Sequence, residues 1–119
     1  MAKRLAIFCG SDEPEQAFPP FMLGAGALAM EMELMLFFTM KGLNIVRKGG
    51  AEKIKLDGAP KTLPEFLDVV RQDGARLVAC SAAFPIVGCK EEDLIEGVEC
   101  GGVVTFLDEA ESADIVLTF

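Results

Sequence analysis

Short apolar runs alternate along this chain with segments of helical periodicity. The first run, LAIFC at 5–9, ends at Gly10, as a buried parallel strand does when it meets its first loop. Four further runs have the same character, namely ELMLFFT at 33–39, RLVAC at 76–80, VEC at 98–100 and DIVLTF at 114–119. Strands that alternate with helices predict a parallel sheet with right-handed crossovers.

Three segments carry apolar residues at helical spacing, and they cover residues 15–31, 62–73 and 101–114. Thr62 is a capping residue for the second of them, and Gly74 ends it. Residues 41–63 are rich in glycine and lysine and predict a loop with one short turn at 43–46. We therefore expect one α/β domain over residues 1–119, a three-layer α/β/α sandwich with a mainly parallel five-stranded sheet.

Composition narrows the classes of protein to consider. The chain has 119 residues, of which 51% are hydrophobic, and this is enough to bury a core. Its 19 acidic and 11 basic residues give a net charge of -8, which argues against nucleic-acid binding because no basic stripe is present. The chain opens without a signal-peptide pattern, so we expect a cytoplasmic protein.

One long apolar stretch, residues 17–40, tests whether the chain spans a membrane. Glu31 and Glu33 lie inside this stretch, where each carboxylate is costly in hydrocarbon. Pro19, Pro20 and two glycines interrupt its first half. We interpret the stretch as a buried helix followed by a buried strand, and we expect no membrane span.

The candidate chemistry lies in four cysteines, Cys9, Cys80, Cys89 and Cys100. Without an export signal the thiols are expected to be free. Their separations of 71, 9 and 11 residues contain no CxxC, and the chain has no histidine, so we expect neither a metal site nor a cofactor. Three of the four, Cys9, Cys80 and Cys100, end predicted strands, and reactive groups collect at the carboxyl ends of parallel strands.

Cys80 lies in LVACSAAFPIVGC, residues 77–89, and the residues alone leave two interpretations open. It is either a small buried hydrophobe or a thiol that chemistry can reach. Ser81 to Ala83 can turn after the strand and aim backbone amides at the sulfur, and Pro85 limits this segment to one tight turn. The absence of histidine argues against a Cys-His hydrolase and favours thiol exchange, which needs little proton transfer.

Two basic residues follow the second predicted strand. Lys41 and Arg47 are candidates for binding an anionic sulfur donor such as thiosulfate. The alternative is that both are exposed charges that keep the protein in solution. The sequence leaves this choice open.

Three segments resemble the DsrE/DsrF-like family, which includes the TusD-type sulfur-relay proteins and a branch sometimes called peroxiredoxin-like. They are FFTMKGLNIVRKG at 37–49, VACSAAFPIVGC at 78–89 and GVECGGVVTFLDEAESADIVLTF at 97–119. The resemblance implies a homo-oligomer of α/β/α subunits in which Cys80 receives sulfur as a persulfide. It implies no role for Cys9 or Cys100, and Cys89 replaces an aliphatic residue of many members.

Three hypotheses for function follow. The first is a cytoplasmic sulfur carrier, or sulfurtransferase-like protein, that takes sulfane sulfur on Cys80 from a donor protein or small compound and passes it to an acceptor thiol. The second is a non-catalytic binding or assembly module whose apolar first helix serves an oligomer interface. The third is a dithiol redox protein that uses Cys80 with Cys89 or Cys100. Whether the chain turns over as an enzyme stays open.

Overall fold

Five parallel strands form the centre of the protein, and the computed structural model describes residues 2–119. The strands are β1 (Arg4–Cys9), β2 (Glu33–Phe38), β3 (Arg76–Cys80), β4 (Val98–Gly101) and β5 (Ile115–Thr118). The helices are α1 (Pro14–Ala17), α2 (Pro19–Ala29), α3 (Leu43–Val46), α4 (Leu63–Gln72), α5 (Phe84–Val87) and α6 (Val103–Glu111). The strand order is β4-β3-β2-β1-β5, which confirms the predicted parallel sheet.

Helices cover both faces of the sheet, and two aromatic contacts identify which helix covers which face. Phe21 of α2 stacks on Phe38 with ring centroids 6.2 Å apart, whereas Phe106 of α6 packs on Phe37 at 5.2 Å. Consecutive strand residues point to opposite faces, so α2 and α6 lie on opposite sides. Helix α4 packs beside α2, and we call their side the two-helix face and the other the α6 face. The three predicted layers are confirmed.

The order of the strands explains why α2 and α4 cover one face of the sheet and α6 covers the other. From β1 to β4 the chain steps one strand at a time toward the same edge, and right-handed crossovers put these connections on the two-helix face. After β4 the direction reverses, and α6 crosses the opposite face to place β5 beside β1. The exits of β3 and β4 therefore leave on opposite faces, and we call the point where they separate the β3–β4 crevice.

The predicted first helix is broken in the structure. Residues 15–31 were expected to form one helix, but α1 ends at Ala17 and α2 begins at Pro19. Pro19 and Pro20 have no N–H groups, so they cannot continue the hydrogen bonds of α1. The second predicted helix is confirmed with its cap, since Thr62 N donates to Glu65 Oε1 at 2.8 Å and Glu65 N donates to Thr62 Oγ1 at 3.3 Å.

The apolar stretch at 17–40 divides between a helix, α2, and a strand, β2, as predicted, but the expectation that the helix is buried was wrong, since Met22 and Leu23 on its outer face are 48% and 45% exposed. Helix α2 has 11 residues, and within residues 2–119 no helix has both the length and the apolarity needed to cross a bilayer. In β2 every residue after Glu33 is buried, because strands cover it on both sides and helices on both faces. Strand β5 lies at an edge, and Ile115 and Val116 are correspondingly half exposed.

The turn after β2 depends on a glycine. A Cβ on Gly42 would overlap the carbonyl oxygen of Cys9, which is backbone and cannot rotate away. We expect Gly42→Ala to lower the free energy of unfolding by about 2 kcal/mol or more in urea titrations. Gly26→Ala is the matched control, since nothing lies within 4 Å of its Cβ position in α2 and alanine favours helix. Equal stability of the Gly42 variant and the wild type would contradict this contact.

An ion pair joins β3 to β4 and makes their pairing sensitive to pH. Arg76 Nε donates to Glu99 Oε1 at 2.7 Å and Arg76 Nη2 donates to Glu99 Oε2 at 3.2 Å, so the pKa of the Glu99 carboxyl is lowered. Because the folded pKa lies below the unfolded one, the stabilisation is present at neutral pH and is lost as the pH falls below about 4.

At neutral pH we expect Glu99→Gln to lower the free energy of unfolding by about 0.5 kcal/mol, a small loss because both partners are exposed. Near pH 3, about one unit below the ordinary pKa of Glu, we expect little difference from wild type. Urea titrations across this range measure the change. Glu92→Gln is the control, because it removes the same charge from an exposed residue that forms no ion pair within residues 2–119. A pH-independent difference between Glu99→Gln and wild type would refute the coupling.

Candidate functional site

Cys80 is the last residue of β3, at the crevice between the exits of β3 and β4. The chain after it makes one 3-10 turn over Ser81–Ala83 and one helical turn, α5, which ends at Gly88 with φ of 64°. The prediction of a tight turn and no long helix is therefore confirmed. Cys9 likewise ends β1, whereas Cys100 lies one residue before the end of β4.

Helix α6 begins close to Cys80. In the sheet Cys80 is paired with Gly101, and Ser81 Oγ donates to Gly101 O at 3.2 Å. A Cβ on Gly101 would come within 2.8 Å of Thr105 Oγ1 and Val78 Cγ1, so the start of α6 packs tightly against β3. The alternation of strand residues directs Cys80 to this α6 face. The free N–H groups in the first turn of α6 favour negative charge on this side of the crevice.

The thiol of Cys80 is covered in the resting structure. Cys80 is 3% exposed, whereas Ser81 and Ala82, which follow it, are exposed. Cys80 is thus part of the core, directly before a turn whose first two residues lie at the surface.

Arg47 anchors the far end of the segment that begins at Cys80. Its Nη1 donates to Val87 O at 3.0 Å and to Asn44 Oδ1 at 3.2 Å, and its Nη2 donates to Gly88 O at 3.3 Å. The carbonyls at the end of a helix need such donors, and Arg47 supplies them to α5. Its guanidinium is therefore engaged with protein, whereas Lys41 is exposed in the Met40–Gly42 turn. Anion binding by Lys41 and Arg47 stays a prediction.

Cys89 is buried next to this anchor. Burial raises the pKa of the Cys89 thiol, and the positive charge of Arg47 acts in the opposite direction. Arg47 was predicted only as a candidate for anion binding, and its place beside Cys89 was not predicted. Gly88 signals a helix end whose carbonyls need a donor, but no sequence pattern identifies a residue 41 positions earlier as that donor.

The other two cysteines lie away from Cys80. Cys100 is paired with Ala79, so its side chain points to the two-helix face, opposite to Cys80. Burial raises the pKa of the Cys100 thiol, and the Glu91 carboxylate raises it further. Cys9 is 1% exposed, and burial raises the pKa of its thiol strongly, as for a core residue.

Metal binding was also considered for these groups. Among residues 2–119, no set of three or more cysteine and carboxylate side chains is arranged to hold a metal ion. The four cysteines are all free thiols in the structure.

The fold is a parallel α/β/α sandwich, and residues 3–119 match the DsrE/DsrF-like family. The chain belongs to this family. Its relatives include YrkE, an uncharacterized protein of Bacillus subtilis, at 25% identity over 97% of this chain and 96% of YrkE. Another is DsrE2 of Allochromatium vinosum, which is named a sulfur carrier protein, at 23% identity over 97% of both chains.

These two alignments extend over 153 and 155 positions, more than the 119 residues of this chain, so both relatives contain residues without a counterpart here. Among solved structures, the ychN protein from E. coli superimposes with a TM-score of 0.79, at 23% identity and with complete coverage of both chains. The fold and the family expected from the sequence are thus confirmed.

The position of Arg47 leads to a prediction for Cys89. In a variant that keeps Cys89 as its only cysteine, Arg47→Met removes the nearby positive charge, and we expect the pKa of Cys89 to rise by about half a pH unit or more. Thiolate absorbance measured against pH reports this value. Lys48→Met removes a neighbouring exposed cation and should leave the pKa unchanged. An equal rise in both variants would show that net charge, and not Arg47, controls this thiol.

Proposed function

We propose that this protein is a sulfur carrier that accepts sulfane sulfur on Cys80 as a persulfide and passes it to a partner thiol. The observation that carries the proposal is the position of Cys80 at the crevice between β3 and β4, beside the start of α6. Membership of the DsrE/DsrF-like family supports it, as does the name of the relative DsrE2. We propose the cytoplasm as its location, since a reducing compartment keeps the thiol free.

The loading step is a thiol exchange. The Cys80 thiolate attacks the outer sulfur of a donor such as thiosulfate, the S–S bond of the donor breaks, and sulfite leaves with the electron pair of that bond. The product is Cys80 with one added sulfur, and no net oxidation or reduction of the system is needed. Backbone N–H groups at the first turn of α6 stabilise the negative charge carried by the attacking thiolate and by the persulfide.

The unloading step needs access for a second protein. A partner thiolate attacks the outer sulfur of the persulfide, and Cys80 leaves as a thiolate. Ile86 in α5 and Val103 in α6 lie on the two elements that follow β3 and β4, and both are more than half exposed. These apolar side chains provide a rim on which an acceptor protein can dock around the crevice.

Both steps require the buried thiol of Cys80 to become accessible. The segment from Ser81 to Gly88 is held by the Ser81 Oγ bond to Gly101 O and by the Arg47 bonds to Val87 and Gly88. The first of these is an exposed side-chain contact, and we propose that its loss, with Arg47 still bound at the far end, gives a donor or acceptor access to the thiol.

A second candidate function is a non-catalytic module that assembles into homo-oligomers. Two observations favour it, the 3% exposure of Cys80 and an apolar outer face on α2. On that face Met22 is 48% exposed, Leu23 45% and Met30, which follows the helix, 75%. Such a surface suits burial against a second copy of the chain. The two functions are compatible if the oligomer leaves the β3–β4 crevice open.

Sulfur uptake tests the carrier proposal directly. Incubation of the reduced protein with thiosulfate or a small persulfide should add the mass of one sulfur atom, and Cys80→Ser should abolish this addition. The measurement is intact mass before and after a reducing agent, which should remove the sulfur. Cys9→Ser is the matched control, because Cys9 also ends a strand of the sheet, β1, and is buried in the core.

Two results would overturn the assignment. If Cys80→Ser takes up sulfur as readily as wild type, the acceptor is another thiol. If the wild type takes up no sulfur and Cys80 resists alkylation until the protein unfolds, the chain is a binding or assembly module and not a carrier.

A further inference from the structure

One polar side chain is buried in the core of the protein, and it belongs to Thr39, which follows β2 directly. Among residues 2–119, Thr39 is the only buried residue whose side chain is polar or charged, and it is 5% exposed. A buried hydroxyl is costly unless it takes part in a hydrogen bond. The groups beside Thr39 therefore decide what this hydroxyl does.

The strand register places Thr39 beside Cys80. Phe38 of β2 pairs with Ala79 of β3 in this parallel sheet. Thr39 and Cys80 are the next residues of these two strands, and both have extended backbone, with φ of -144° at Thr39 and -75° at Cys80. Neighbouring strands lie about 4.8 Å apart, so the two residues are neighbours across the strands.

Both side chains point to the α6 face. Phe37 lies on this face, where it packs on Phe106 of α6, and Thr39 lies two residues further along the extended chain. Cys80 in turn lies two residues after Val78, which pairs with Phe37. The hydroxyl and the thiol are therefore on the same side of the sheet, at the same level.

The positions on either side of this pair have no side chain. The ladder between β1 and β2 continues to Thr39 N, which donates to Cys9 O at 3.1 Å, so Gly10 is the next neighbour of Thr39. On the other side Gly101 pairs with Cys80. The sulfur of Cys80 is thus the side-chain acceptor beside Thr39 along this edge. A neutral thiol is a weak acceptor, whereas a charged sulfur is a strong one.

We propose that the Thr39 hydroxyl donates a hydrogen bond to the sulfur of Cys80 when this sulfur is negatively charged, as a thiolate or as a persulfide. The bond stabilises the charged forms more than the neutral thiol, because a charged acceptor strengthens it. Thr39 acts from the sheet, and the first turn of α6 acts on the same charge from the helix. For the persulfide this role rests on the proposed carrier function, whereas for the thiolate it is independent of sulfur transfer.

Substitutions of Thr39 test this contact through the reactivity of Cys80. Thr39→Val has nearly the same shape without the hydroxyl, and Thr39→Ser keeps the hydroxyl. Each is made in a Cys89→Ser background, in which Cys80 is the only cysteine of the tryptic peptide 77–90. The measurements are the rate of alkylation of Cys80 by iodoacetamide at neutral pH and the rate of sulfur uptake from thiosulfate, both read from the mass of the alkylated peptide.

We expect Thr39→Val to lower both rates about threefold. Loss of a hydrogen bond to a charged group reduces the thiolate fraction about tenfold, and the greater nucleophilicity of the remaining thiolate offsets part of this loss. Thr39→Ser should stay within about twofold of the background protein, since it keeps the donor. Thr118→Val is the matched control, because it removes an exposed hydroxyl at the end of β5, which two strands separate from β3.

Urea titrations show whether each variant is folded, and Thr39→Ala replaces Thr39→Val if the latter does not fold. Equal rates with and without the hydroxyl would overturn the inference. An equal loss in Thr39→Ser would also overturn it, because packing and not the hydroxyl would then control the thiol. Absent sulfur uptake, with alkylation still slowed in Thr39→Val, would overturn the carrier proposal and support the contact. If Cys80 is neither loaded nor alkylated in the folded protein, both fail.

Discussion

The chain turns from β4 into α6 at a point that has no room for a side chain. A Cβ on Gly101 would come within 2.8 Å of both Thr105 and Val78, and this close contact lets α6 start directly above β3. Because α6 starts there, the chain can leave the two-helix face and return across the other side of the sheet. The crevice beside Cys80, the cover over the α6 face and the pairing of β5 with β1 all follow from this reversal.

The strands could be predicted from the sequence, because parallel strands buried on both faces have continuous apolar runs. ELMLFFT predicted β2 to within one residue, and the Thr62 and Glu65 cap predicted the start of α4. The break between α1 and α2 at Phe18 was not predicted, because the apolar spacing continues through Phe18 and only the two prolines after it indicate a new helix. The order of the strands was not readable either, because long-range pairing has no local pattern.

The part of the candidate site that depends on local sequence was predicted, and the part that depends on long-range packing was not. Cys80 follows an apolar run, so its place at the exit of a strand was predictable, and small residues after it predicted the tight turn. The burial of its side chain was not predictable, because burial depends on how distant elements pack around the strand. The bonds from Arg47 to Val87 and Gly88 join residues about forty positions apart. They could not be predicted, because nothing in the sequence distinguishes an arginine that binds backbone carbonyls from one that is exposed to solvent. The faces of Cys80 and Cys100 required the strand register.

The pairing of β1 with β5 has a consequence for how the protein is made. Leu5 pairs with Ile115, and Gly10 N donates to Phe119 O at 2.9 Å, so contacts join residues about 110 positions apart. During synthesis on the ribosome, β1 and β2 emerge early, whereas the strand that covers the free edge of β1 emerges late. That edge, with buried Leu5 and Ile7 beside it, stays exposed throughout the interval. Until β5 is made, the unpaired edge of β1 is therefore a surface on which a strand of another molecule can pair.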